Sequence, residues 1–93
     1  MTPEGEVKAY LAGRVRMTGG KLRFLRWIAR RRACDCLVWW TFPKCALVEV
    51  KRPGKEPTKA QLAEHRRMRA DGWPVYVVDS VESVDAFIAE ITA

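Results

Sequence analysis

No apolar run in the sequence approaches the ~20 residues that a membrane-spanning helix needs, so no membrane partner is expected. Nothing in it has the form of a signal peptide. Its three cysteines, Cys34, Cys36 and Cys45, are an odd number, which speaks against a disulfide framework. Histidine is scarce, with His65 alone. Cys-x-Cys with one distant Cys and one His is not zinc-finger spacing. The cysteines are therefore expected as buried free thiols in strands, and an intracellular location is expected for the chain. Internal repeats and low-complexity segments are also missing. Residues 71–93 carry no Lys or Arg at all.

What is present completes that asymmetry. All 17 Lys and Arg fall in residues 1–70 beside six acids, whereas residues 71–93 hold five acids. The chain, +6 overall, is thus electrically polarised along its length. A basic surface suits a polyanion, because phosphate binding releases counterions. Basic composition alone fits a protein with solvated charges equally well. Its 93 residues suit one domain, 1–93, with a modest core.

Thr2-Pro3-Glu4 has the form of a helix start, and Val7, Tyr10 and Leu11 follow at helical spacing, predicting a helix over about 3–13. Thr18-Gly19-Gly20 breaks it. Lys21 to Ala29 alternates loosely and predicts a first strand, with the basic run Arg30-Arg31-Arg32 at its end. Residues 36–42, rich in β-formers, predict a second strand, and Cys45–Lys51 a third, antiparallel to it. Thr58-x-x-Gln61 is a capping-box pattern opening a helix that should end at Gly72. Val75–Val78 is a near-continuous apolar strand of the kind buried on both faces. Ser80 or Ser83 begins a last helix with Val84, Phe87, Ile88 and Ile91 on one side. The order α-β-β-β-α-β-α contains a β-α-β unit, which implies a parallel strand pair in a mixed α/β sheet flanked by helices.

Glu49-Val50-Lys51 is where chemistry is expected. Residues two apart in a strand share a face, so Glu49 and Lys51 point one way and Val48 and Val50 the other. Ionised groups at the end of an apolar strand must be paired, solvated or functional. In a hairpin, Asp35 comes near Glu49, and two close carboxylates repel unless a cation lies between them. Hard oxygen ligands with open water positions suit Mg²⁺ or Mn²⁺. Lys51 is placed to orient a water or to stabilise phosphate charge. A plain salt bridge between Glu49 and Lys51 on a solvated face fits the bare pattern too.

These residues, from Cys34-Asp35 through Leu47-Val48-Glu49-Val50-Lys51-Arg52-Pro53-Gly54 to Thr58-Lys59-Ala60-Gln61 and Gly72–Val78, resemble the VRR-NUC family of the PD-(D/E)xK nuclease superfamily. The likeness covers nearly the whole chain. It implies a restriction-endonuclease-like α-β-β-β-α-β core, here followed by a C-terminal helix. It implies metal ligation by Asp35, Glu49 and the backbone carbonyl of Val50, with Lys51 as base or charge stabiliser. Gln61 and Glu6 match supporting positions of that site. Gln61 equally fits the capping box, and Glu6 an ordinary first-turn acid. One departure is Cys34, which stands where the motif usually has proline.

Arg30, Arg31, Arg32, Lys44, Arg52, Lys55, Lys59 and Arg66 lie near this site in sequence and are candidate DNA-phosphate contacts, with Arg67 and Arg69 extending them; each fits a solvated surface charge as well. His65 is expected as a polar residue on the helix surface. Of the adjacent Trp39 and Trp40, one is expected exposed, at a subunit interface or against a base. The resemblance implies a metal-dependent endonuclease, a Holliday-junction resolvase working on four-way junctions as a homodimer. A flap or nicking nuclease, or a DNA-binding module without turnover, is the alternative.

Overall fold

Thr2 caps the first helix by accepting the Gly5 N–H at 3.0 Å, and Pro3 opens it. This α1 spans Pro3–Met17, a turn longer than the sequence pattern indicates. Val15 extends the buried stripe of Val7 and Leu11, and the basic Arg14 and Arg16 suit the negative end of the helix dipole. The structure is a computed structural model that describes residues 1–27 and 34–93.

Three strands follow: β1 (Lys21–Phe24), β2 (Cys36–Trp39) and β3 (Cys45–Val50), each antiparallel to the last. β1 is shorter than expected because its partner begins only at Cys36, opposite Phe24. One further link, Leu25 N–H to the Asp35 carbonyl at 2.8 Å, lies beyond the ladder. Ile28, Ala29 and the run Arg30-Arg31-Arg32 lie outside the described residues. β2 stops at Trp39 rather than Phe42, because Trp40 N–H donates to the Lys44 carbonyl and Lys44 N–H to Thr41, closing a turn. Gly20 lets the chain pass beneath Trp40, where an added Cβ would sit 2.7 Å from the indole and 2.9 Å from Val15.

α2 (Lys59–Ala70) begins in a complete capping box of Thr58 and Gln61 and ends at Asp71, followed by Gly72 at φ +91°. β4 (Val75–Val78) then runs parallel to β3, with Glu49 opposite Val77 and Val50 opposite Val78. α3 (Val81–Thr92) uses both candidate serines: Ser80 is the cap and Ser83 its reciprocal partner.

The sheet order is β1-β2-β3-β4, which makes β3 a central strand. α1 and α3 cover one face, where Val38, Ala46, Val48 and Val50 join Leu11, Val15, Val84 and Phe87 in the larger core. α2 covers the other, over a small cluster of Cys34, Leu47 and Val75 with Met68. β4 lies at an edge, so Val75 and Val78 are buried while Tyr76 and Val77 are half-buried, less than the two-sided burial expected. Trp39 and Trp40 are both half-buried rather than one exposed: the Arg23 guanidinium lies over Trp39, and Trp40 packs against Phe87. Among the described residues no helix is long and apolar enough to cross a membrane.

Candidate active site

The alternation of β3 decides which side chains meet. Residues 46, 48 and 50 enter the larger core, which leaves Leu47 and Glu49 on the face beneath α2. The pairing of Cys36 with Val48 carries Asp35, one residue upstream, to the neighbourhood of Glu49 on that same face. Asp35 is held there by its own backbone and side chain. Its carbonyl accepts the Leu25 N–H, and its Oδ2 accepts the Val50 N–H at 2.7 Å. Lys51 follows directly and is half-buried, its N–H anchored to the Val78 carbonyl at 2.9 Å.

Glu49 is only 3 % exposed, and its Oε1 has no hydrogen-bond partner among the described residues. Burial above all, and then the Asp35 carboxyl beside it, push the Glu49 carboxyl up to about 8, while Lys51 pulls it down. His65 of α2 closes over this group with Nε2 3.5 Å from Glu49 Oε1. It is fully buried, and neither ring nitrogen has a hydrogen-bond partner. Burial, Arg69 and Lys51 in that order hold its imidazole below the usual 6.5, favouring the neutral ring. Cys34 completes the cluster, its ligand atom and those of Glu49 and His65 all lying within 4.8 Å of one another.

A buried carboxyl with an unmatched oxygen, next to a second carboxylate, is a poor arrangement for stability alone. It fits a divalent cation, which would draw both carboxyls into their charged forms and occupy the orphaned oxygen.

No family model matches the sequence. The chain is 39 % identical over 77 residues to the protein named "Putative nuclease p44" from Acyrthosiphon pisum secondary endosymbiont phage 1, covering 83 % of each. A solved structure described as a VRR-NUC domain superposes with a TM-score of 0.88 at 38 % identity, over 96 % of this chain and 97 % of that one. The chain belongs to the VRR-NUC family.

Against the VRR-NUC pattern, Asp35, Glu49, Val50 and Lys51 stand together at one end of β3. Gln61 lies early in α2 but is engaged in the cap: its Oε1 accepts the Thr58 N–H at 2.9 Å, while its own N–H donates to Thr58 Oγ1. Glu6 is exposed and lines a groove with Pro3, Pro53, Ser80 and Val81. Glu4, one of the other residues of that first turn, is the α1 acid whose charge reaches Glu49. Arg52, Lys55 and Lys59 are exposed and follow Lys51 along the β3–α2 connection, and Arg66 is exposed on α2. Lys44 is close to Glu49 in sequence but not in space. It precedes β3, whose six extended residues separate it from Lys51 by roughly 20 Å.

His65 corrects a sequence expectation: it is buried, not on the helix surface, because it is the side chain that α2 turns toward Glu49. Its one signal was a place four residues after Gln61, which helical geometry puts on the same side. Cys34 and Cys36 are buried free thiols, as expected, but Cys34 precedes β2 rather than lying in a strand, and Cys45, in β3, is only half-buried. That Cys34 meets Glu49 and His65 was hidden, since the three come from separate segments.

Proposed function

We propose that this chain is a divalent-metal-dependent endodeoxyribonuclease, formed by residues 1–93 as a single nuclease domain, that hydrolyses phosphodiester bonds in branched DNA and resolves four-way junctions as a homodimer. The observation that carries the reading is the pairing of Asp35 with the buried, unmatched Glu49 next to Lys51, in a VRR-NUC chain. The phage relative has the word nuclease in its name, which supports the reaction class.

Asp35, Glu49 and the Val50 carbonyl would hold Mg²⁺ or Mn²⁺. When bound, the ion supplies Lewis acidity at a phosphate oxygen and a more acidic water. Asp35 keeps its orientation through the Val50 N–H, so the ligand set is preorganised on the backbone of β3. Lys51 orients the attacking water and steadies the charge that grows on the phosphate. Gln61 and Glu6 are assigned supporting roles at the margin of the site. Arg52, Lys55, Lys59 and Arg66, with Arg30, Arg31 and Arg32, hold the DNA backbone. One site cuts one strand, so symmetric resolution needs two copies, which a twofold dimer supplies.

The test is cleavage of labelled four-way junction, flap and linear duplex with Mg²⁺, Mn²⁺ or chelator, alongside solution mass. The reading expects metal-dependent cutting of the junction by a dimer. Preference for the flap, or activity as a strict monomer, would overturn the resolvase assignment. No cleavage of any substrate would overturn the nuclease one.

A further inference from the structure

The proposed reaction uses Asp35, Glu49 and Lys51 and gives no task to Cys34 or His65. Yet these two are buried beside Glu49, and the ligand atoms of Cys34, Glu49 and His65 lie within 4.8 Å of one another. Sulfur, imidazole nitrogen and carboxylate oxygen form the donor set of a transition-metal site, not of a magnesium site. Two observations point to a ligand here. Both nitrogens of the fully buried His65 lack hydrogen-bond partners among the described residues, and so does the facing oxygen of Glu49. Ligand atoms on one tetrahedral zinc lie roughly 3.3–3.6 Å apart, from metal–ligand distances of about 2.0–2.3 Å. The His65–Glu49 separation of 3.5 Å already meets this, and small side-chain rotations close the remainder.

We propose that Cys34, Glu49 and His65 form a zinc site overlapping the hard-metal site, and that zinc bound there holds the nuclease off. The two sites share Glu49. A zinc ion seated on Cys34 and His65 draws that carboxylate away from Asp35 and leaves the hard-metal site one ligand short. Three protein ligands leave a fourth position for water, one protein ligand fewer than a closed structural zinc site has. The inhibitory part rests on the proposed nuclease function; the binding part does not.

The test begins with metal binding to the full chain, using Co²⁺ as a spectroscopic stand-in for Zn²⁺. Wild-type protein is expected to bind one Co²⁺ with a sulfur-to-cobalt charge-transfer band that Zn²⁺ abolishes. Cys34→Ser loses the band, and His65→Gln weakens binding at least about tenfold. Cys45→Ser, whose half-buried thiol lies outside the cluster, keeps the band. Circular dichroism melts of each variant separate lost ligation from lost folding. No sulfur band in the wild type, or a band that persists in folded Cys34→Ser, overturns the site.

The second arm compares Mg²⁺-supported cleavage with and without one equivalent of Zn²⁺, each protein measured against itself. At least about tenfold inhibition of the wild type is expected, with little in Cys34→Ser. Equal inhibition of both overturns the switch. If no substrate is cut under any metal, the nuclease reading falls and takes the switch with it, while the cobalt spectrum still decides the site.

Discussion

Glu49 is the residue at which stability and function pull hardest against each other. Its carboxyl, buried and beside Asp35, is pushed from 4.5 up to about 8. Without metal, the folded protein therefore binds more protons than the unfolded chain between those values, and stability falls as pH rises through that window. A bound cation needs the ionised form and reverses the preference. Stabilisation by Mg²⁺ or Mn²⁺, read as the rise in Tm over a chelated sample, should be larger at about pH 8 than at about pH 5. An equal rise at both would place the ion elsewhere. His65 makes a second test. Its two unpartnered nitrogens are a cost in the metal-free fold, so His65→Leu should raise metal-free stability by ~1 kcal/mol in denaturant titrations. The meeting of Asp35, Glu49 and Lys51 at one end of β3 was legible because strand alternation and hairpin proximity follow from local sequence. His65 and Cys34 were not, because their meeting depends on how α2 lies across the sheet, which no local spacing encodes.

At the scale of elements, the helix starts carry the information most openly. Thr2, Thr58 and Ser80 each accept a backbone N–H at the head of a helix. Thr58→Ala breaks a reciprocal cap and should cost ~1 kcal/mol of stability. It removes only the acceptor of the Gln61 N–H, and the Gln61 side chain keeps its bond from the backbone N–H of residue 58. Chemical denaturation reads the stability cost, and a cleavage assay on Gln61→Ala beside Thr58→Ala shows whether the Gln61 side chain matters beyond the cap. Strand ends were harder to read, since a strand extends only as far as its partner does. β1 stops at Phe24 because β2 starts at Cys36, and β2 stops at Trp39 because the turn through Thr41 and Lys44 takes over its hydrogen bonds. The parallel β3–β4 pair was legible in advance, because a helix of the length of α2 between two apolar strands allows little else.

Across the whole molecule, the division of charge along the chain becomes a division of roles. The acids after residue 70 serve partly within the fold: Asp85 accepts from Tyr10 and Arg14, joining α3 to α1. The exposed cations Arg52, Lys55, Lys59 and Arg66 remain available to a polyanion. DNA affinity should fall linearly on a log–log plot against salt, and replacing both Arg52 and Lys55 by Ala should lower that slope by roughly 2, measured by fluorescence anisotropy. An unchanged slope would remove both from the DNA surface. Asp35, Glu49 and Lys51 are proposed as a metal-dependent phosphodiesterase site. Its most direct measurement is single-turnover cleavage of a labelled four-way junction in Mg²⁺ or Mn²⁺ by the wild type, Asp35→Ala and Lys51→Ala. Cleavage by the wild type that chelator abolishes is expected, with losses of at least about 100-fold in both folded variants. Cleavage at wild-type rates by either variant, or cleavage that survives chelation, would contradict the proposed site.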